Sequence, residues 1–191
     1  MNMLIMYIKK LLDLSEFFYK IISLVPKECL SKLYYAFVHP YISYGIEIYA
    51  NCCKTSLDQL IKANNKILRI LLNKKLHTPV IELYREFNVL PISLLHESKL
   101  LHVVYKSHYS KHLLPEIFRQ YFVANQCVHY HNTRSKINMH ISSVNSTFGQ
   151  RCCTYRGSKY WNNLPIELRN CSNYFSFTKQ VKQFLLNRDD V

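Results

Sequence analysis

Apolar positions along the first two-thirds of the chain recur with a helical period. Residues 4–23 read as one helix, apolar but interrupted by Lys9, Lys10, Asp13, Glu16 and Lys20. Pro26 stands where a first helical turn tolerates proline, and a second helix is predicted from there towards Tyr49. Pro40 lies inside that segment and should kink or break it, because proline removes an amide donor and crowds the preceding turn. Ser56 and Gln59 form a capping-box pair for a third helix over about 57–73. Within it Leu57, Leu60, Ile61, Leu68, Leu71 and Leu72 share helical spacing, so one face is expected to be buried. Thr78 with Pro79 caps a short fourth helix to about Phe87. Pro91 opens a fifth, to about Tyr109, with Leu94, Leu95, Leu101 and Val104 inside. A shorter one follows Pro115.

From about residue 123 the texture changes. Residues 137–160 hold Ile, Val, Thr, Phe and Tyr amid Ser, Asn and Gly with no 3.6 period, which predicts one or two short strands or an extended arm. A turn of helix is expected over 164–169, and an amphipathic helix over 177–187. The pattern predicts a mainly α fold: a helical bundle over 1–115, then a small mixed α+β basic unit over 116–191.

Composition sharpens this picture through charge. Lys and Arg number 25 against 12 Asp and Glu, a formal net charge of +13. A surplus of this size repels itself and suits an acidic partner, nucleic acid first and an anionic membrane surface second. No uncharged run approaches the roughly 20 residues that cross a bilayer, so no membrane span is expected. The seven cysteines include the adjacent pairs Cys52-Cys53 and Cys152-Cys153 and no Cys-x-x-Cys. They read as reduced thiols of an intracellular protein, cytoplasmic or nuclear. Cys127, His129, His131, Cys152, Cys153 and Cys171 raise the question of zinc, but their spacing does not match the usual paired ligands, and no metal is expected.

Several strings resemble one family. Leu33-Tyr34-Tyr35-Ala36-Phe37-Val38-His39-Pro40-Tyr41-Ile42-Ser43-Tyr44-Gly45 is similar to the segment that follows the palm in LINE-type, jockey-like reverse transcriptases of non-LTR retrotransposons. Ala63-Asn64-Asn65-Lys66-Ile67-Leu68-Arg69-Ile70 resembles the next thumb helix, and Leu90-Pro91-Ile92 the start of another. His129-Tyr130-His131-Asn132-Thr133-Arg134 and Gly157-Ser158-Lys159-Tyr160-Trp161-Asn162-Asn163-Leu164-Pro165 resemble two C-terminal elements. The order and spacing of these strings cover about residues 15–187. Tyr49 departs from a common Trp, and Cys52-Cys53 from a more polar stretch.

The resemblance implies a thumb and C-terminal segment of an RNA-directed DNA polymerase. The family's polymerase chemistry uses Mg2+ held by palm carboxylates. The one Asp-Asp here, Asp189-Asp190, sits at the terminus, where a chain end does not hold metals rigidly. No catalytic residue and no cofactor are therefore expected in this chain, with a palm supplied in trans as a possible partner. The expected activity is sequence-independent binding of RNA or an RNA–DNA duplex. The alternatives are a decayed remnant of a mobile element with no selected activity, or an amphipathic membrane-surface or protein scaffold.

Two basic regions are the candidate sites. Lys62, Lys66, Arg69 and Asn73 fall at i, i+4, i+7 and i+11 and share one side of the third helix, with Lys74 and Lys75 extending the charge. That side is either a solvated helix face or a surface that tracks phosphates. Between Glu116 and Glu167 there is no acidic residue, while Arg134, Arg151, Arg156 and Lys159 stand among Tyr121, Phe122, Tyr130, Phe148, Tyr155, Tyr160 and Trp161. Cations mixed with aromatics can hold single-stranded nucleic acid by phosphate contact and stacking. The competing reading is a small aromatic core with only the cations in water, and Trp161 beside Leu164 and Pro165 fits that better.

Overall fold

The computed structural model describes residues 2–52, 54–128 and 135–188. The chain runs through α1 (Asn2–Ile21), α2 (Lys27–Leu33), a π turn at Tyr34–Val38, α3 (His39–Ser43) and α4 (Ile46–Tyr49). It continues through α5 (Lys54–Leu71), α6 (Val80–Glu86), α7 (Ile92–Tyr109), α8 (Asn125–Val128), α9 (Cys153–Asn163), α10 (Ile166–Arg169) and α11 (Tyr174–Asn187). The fold is mainly α, as the pattern predicts. Two compact units divide within α7: residues 2–95 and residues 96–188. The sequence places its boundary some twenty residues later, where composition changes.

In the first unit, α1 packs along α5. Leu4, Tyr7, Leu11, Ser15 and Phe18 fall at spacings of three and four and are buried. The opposing face of α5 supplies Leu60, Ala63, Ile67, Leu68 and Leu71. Asn64 and Asn65 of α5 are buried as well, in a polar network with the π turn and α6. The Tyr34 hydroxyl donates to Asn64 Oδ1 at 3.1 Å. The Asn64 amide donates to the Tyr84 hydroxyl at 3.0 Å, and that hydroxyl donates to Asn65 Oδ1 at 2.7 Å. Burial raises both phenols, Tyr34 well above the usual range and Tyr84 to about 12.

Pro40 does not break its segment. The helix widens into the π turn just before it, with the His39 amide bonding back to the Tyr34 carbonyl, and α3 restarts with the proline in its first turn. A π turn makes room where a proline would otherwise meet the preceding turn. Both α5 and α6 end on an asparagine in the left-handed region, Asn73 at φ 51° and Asn88 at φ 53°. The Lys74 amide then reaches the Arg69 carbonyl at 2.9 Å and the Val89 amide the Tyr84 carbonyl at 3.0 Å, the closing bonds of Schellman motifs. Ser56, expected at the cap, lies inside the first turn of α5 because the helix begins at Lys54. Pro79 rather than Thr78 precedes α6, and no side chain caps it.

In the second unit, Leu100, Leu101, Val104 and Tyr105 of α7 share a core with Trp161, Leu164, Phe177, Val181 and Leu185. Tyr105 stacks on Phe177 with ring centroids 4.3 Å apart. The expected strands are a correction: among the described residues no strand forms. One isolated antiparallel bridge, Ala124 to Met139, stands in their place. The Asn162 side chain takes the part of a neighbouring strand, accepting from the Met139 amide at 2.8 Å and donating to its carbonyl at 2.9 Å. Residues 153–160, expected to be extended, belong to α9. Burial of Gly157, Ser158 and Trp161 on one helical face overrides the poor local propensity of that stretch. The final helix starts three residues before its expected position, at Tyr174, where Asn173 accepts from the Phe175 and Ser176 amides as a helix cap.

Candidate nucleic-acid interface

The cation stripe on α5 does share one face, turned away from Leu60, Ile67 and Leu71. Lys62, Lys66, Arg69, Asn73 and Lys74 line an open groove of about 680 Å³. Its remaining lining is Asn65 with the apolar or aromatic Tyr19, Ile22, Ile70 and Leu76. The groove therefore mixes cations with apolar and aromatic side chains, of which Tyr19 and Leu76 are largely exposed. Lys75 is exposed but does not line it. Tyr19 lies in the last turn of α1 and Ile22 just past its end, and no spacing in the sequence connects them to Lys62; only the packing of α1 on α5 does.

Two of these cations have internal partners. Lys74 pairs with Glu86 at 2.9 Å. An exposed pair of this kind contributes about 0–1 kcal/mol and exchanges readily for another anion. Arg69 donates one terminal nitrogen to the Thr78 carbonyl at 3.4 Å, which steadies the guanidinium beside the groove.

The second unit gathers Arg151, Arg156 and Lys159 at one cavity of about 320 Å³. Arg151 ends a short 3-10 turn, Gly149–Arg151, and the other two project from α9. Tyr155 and Tyr160 line the same cavity. Thr147 and Gln150 complete it, and nothing in the sequence pattern marks them. Burial raises the Tyr160 phenol, with the Arg156 charge opposing that rise. Burial, with Arg156 adding to it, pushes the neighbouring His96 imidazole down to about 4. Arg134, with His129, Tyr130 and His131, lies outside the described residues, as does Asp189-Asp190.

The aromatics divide. Trp161 and Phe122 are buried and belong to the core. Phe148 is exposed, Tyr121 lines a separate pocket, and Tyr155 and Tyr160 stay with the cations. Among the described residues no three His, Cys, Asp or Glu side chains come together as a metal site. No helix among them is long and apolar enough to cross a membrane. Comparison of the chain with protein-family models, with curated proteins and with solved structures finds no match.

Proposed function

We propose that this chain is the thumb and C-terminal segment of a LINE-type reverse transcriptase, and that its groove holds the backbone of RNA or an RNA–DNA duplex without reading sequence. The observation that supports this is the convergence of Lys62, Lys66, Arg69 and Lys74 on one open groove whose lining holds no carboxylate. Cations on a rigid helix bind phosphates by releasing condensed counterions, so affinity falls steeply with salt. The exposed Tyr19 and Leu76 beside the cations offer apolar surface to sugars and base edges. Polymerisation would belong to the family's palm and its Mg2+ ions, and the described residues would bind without doing chemistry.

Fluorescence anisotropy with an RNA–DNA hybrid tests the reading. Wild-type chain should bind at low salt, and changing Lys62, Lys66 and Arg69 together to Ala should weaken binding at least tenfold. A folded wild type that ignores the hybrid at low salt would mean that the stripe is a solvated face.

A second reading has its own support. Ile5, Met6, Leu12 and Phe17 are exposed along α1, an apolar surface that could lie on a membrane or another protein. Binding to anionic vesicles together with indifference to nucleic acid would favour it.

A further inference from the structure

The cavity of the second unit differs from the groove of the first in size and lining. It is about half the volume, and three cations meet in it. On α9, Tyr155 with Lys159 and Arg156 with Tyr160 are i, i+4 pairs that form two adjacent rows at the cavity. Arg151 reaches the same place from the turn before the helix. No carboxylate lines the cavity. Glu97, whose charge is felt at Tyr160, is already held by Arg188 through two 2.8 Å bonds. The positive charge gathered here is therefore not neutralised at the cavity itself.

A stripe of cations along a groove matches a chain of diesters, one charge per phosphate. Three cations around one small cavity match a ligand that concentrates charge at a point. A phosphate monoester carries about −1.5 to −2 at neutral pH and offers three terminal oxygens. Planar guanidinium groups take pairs of those oxygens. The Thr147 hydroxyl and Gln150 amide add neutral donors, and the Tyr155 and Tyr160 rings offer faces for a sugar or base. A cavity of about 320 Å³ lies at the small end of ligand pockets, which start at roughly 300 Å³.

We infer that the cavity formed by Arg151, Arg156, Lys159, Tyr155 and Tyr160 binds a nucleoside phosphate monoester, either a 5′-phosphorylated strand end or a free nucleoside monophosphate. The inference rests on assigning the cations of this unit to nucleic acid, and it narrows that assignment to a terminal phosphate.

The test uses the full chain and two short, 3′-labelled single strands that differ only in a 5′-phosphate or 5′-hydroxyl. Wild type should favour the phosphorylated strand by about tenfold. R156Q/K159Q should abolish that preference, so that the two strands bind with equal affinity. R151Q, which lies outside α9, should reduce the preference in the same direction, and circular dichroism checks that each variant folds. Displacement by a nucleoside 5′-monophosphate as effective as by the phosphorylated strand assigns the cavity to free nucleotide. Displacement by the strand alone assigns it to a strand end. Equal wild-type affinity for the two strands, or a preference that survives all three substitutions, overturns the inference. The K62A/K66A/R69A chain separates the two proposals. It should lose affinity for both strands and keep their ratio. If the ratio holds but wild type ignores the RNA–DNA hybrid, the groove reading fails and this site stands.

Discussion

At the scale of single residues, the buried amide of Asn64 decides more than its size suggests. It accepts from Tyr34 and donates to Tyr84 in a region where water does not reach. Asn64→Leu keeps the branched shape, in a bulkier side chain, but strands the Tyr34 hydroxyl without an acceptor. The expected loss is about 2–3 kcal/mol, read as a lower urea midpoint. Adding Tyr34→Phe should recover part of that loss, because both partners are then apolar. A double variant no better than the single would contradict this account of the network. Two histidines of the other unit give stability a pH dependence. Burial pushes His96 down to about 4, with Arg156 contributing. Burial pushes His102 to about 4 as well, with Lys99 and Lys106 contributing. The Nε2 atoms of both are buried without a hydrogen-bond partner. Between pH 6.5 and 4 the unfolded chain binds protons that the folded chain refuses, so stability present above 6.5 is lost as pH falls. The urea midpoint should drop between pH 7.5 and 5, and His96→Met should shrink the drop. A midpoint indifferent to pH over that interval would contradict the burial of these rings in their neutral form.

At the scale of elements, legibility followed the strength of the local signal. The third predicted helix was readable because Leu60, Leu68 and Leu71 recur at helical spacing, and they are buried on α5. Pro91 marked the start of α7 to the residue, since Ile92 opens it. Residues 153–160 were misread because Thr, Tyr, Gly and Ser favour other conformations locally. What holds them helical is contact with partners far away in sequence. Gly157 shows how tight that contact is. A methyl group there would stand 2.7 Å from the Phe122 ring and 3.1 Å from Val104. Gly157→Ala should therefore destabilise the second unit by about 1–3 kcal/mol, although alanine is the better helix former in isolation. Thermal unfolding measures the balance, and a higher melting temperature would mean that Phe122 moves aside freely. The strand reading failed for a related reason. Around Met139, the Asn162 side chain supplies both hydrogen bonds that a neighbouring strand would have made.

At the scale of the whole molecule, the charge of +13 is legible as a total, but its distribution is not. Helical arithmetic put Lys62, Lys66 and Arg69 on one side of α5, and they do line one groove. The apolar wall opposite them, Tyr19 and Ile22, comes from α1 and becomes visible only when the two helices pack. Likewise, a region free of acids was evident between Glu116 and Glu167, but not that Arg151, Arg156 and Lys159 within it would meet at one cavity. Each unit thus carries its own cation cluster. The central claim is that the cluster on α5 binds nucleic-acid backbone, and the salt dependence of binding tests it most directly. The logarithm of the association constant for an RNA–DNA hybrid should fall linearly with the logarithm of salt concentration. K62A/K66A/R69A should flatten that slope by about two to three, close to one unit for each phosphate contact removed. An unchanged slope in a folded triple variant would contradict the claim, because those three cations would then be releasing no counterions.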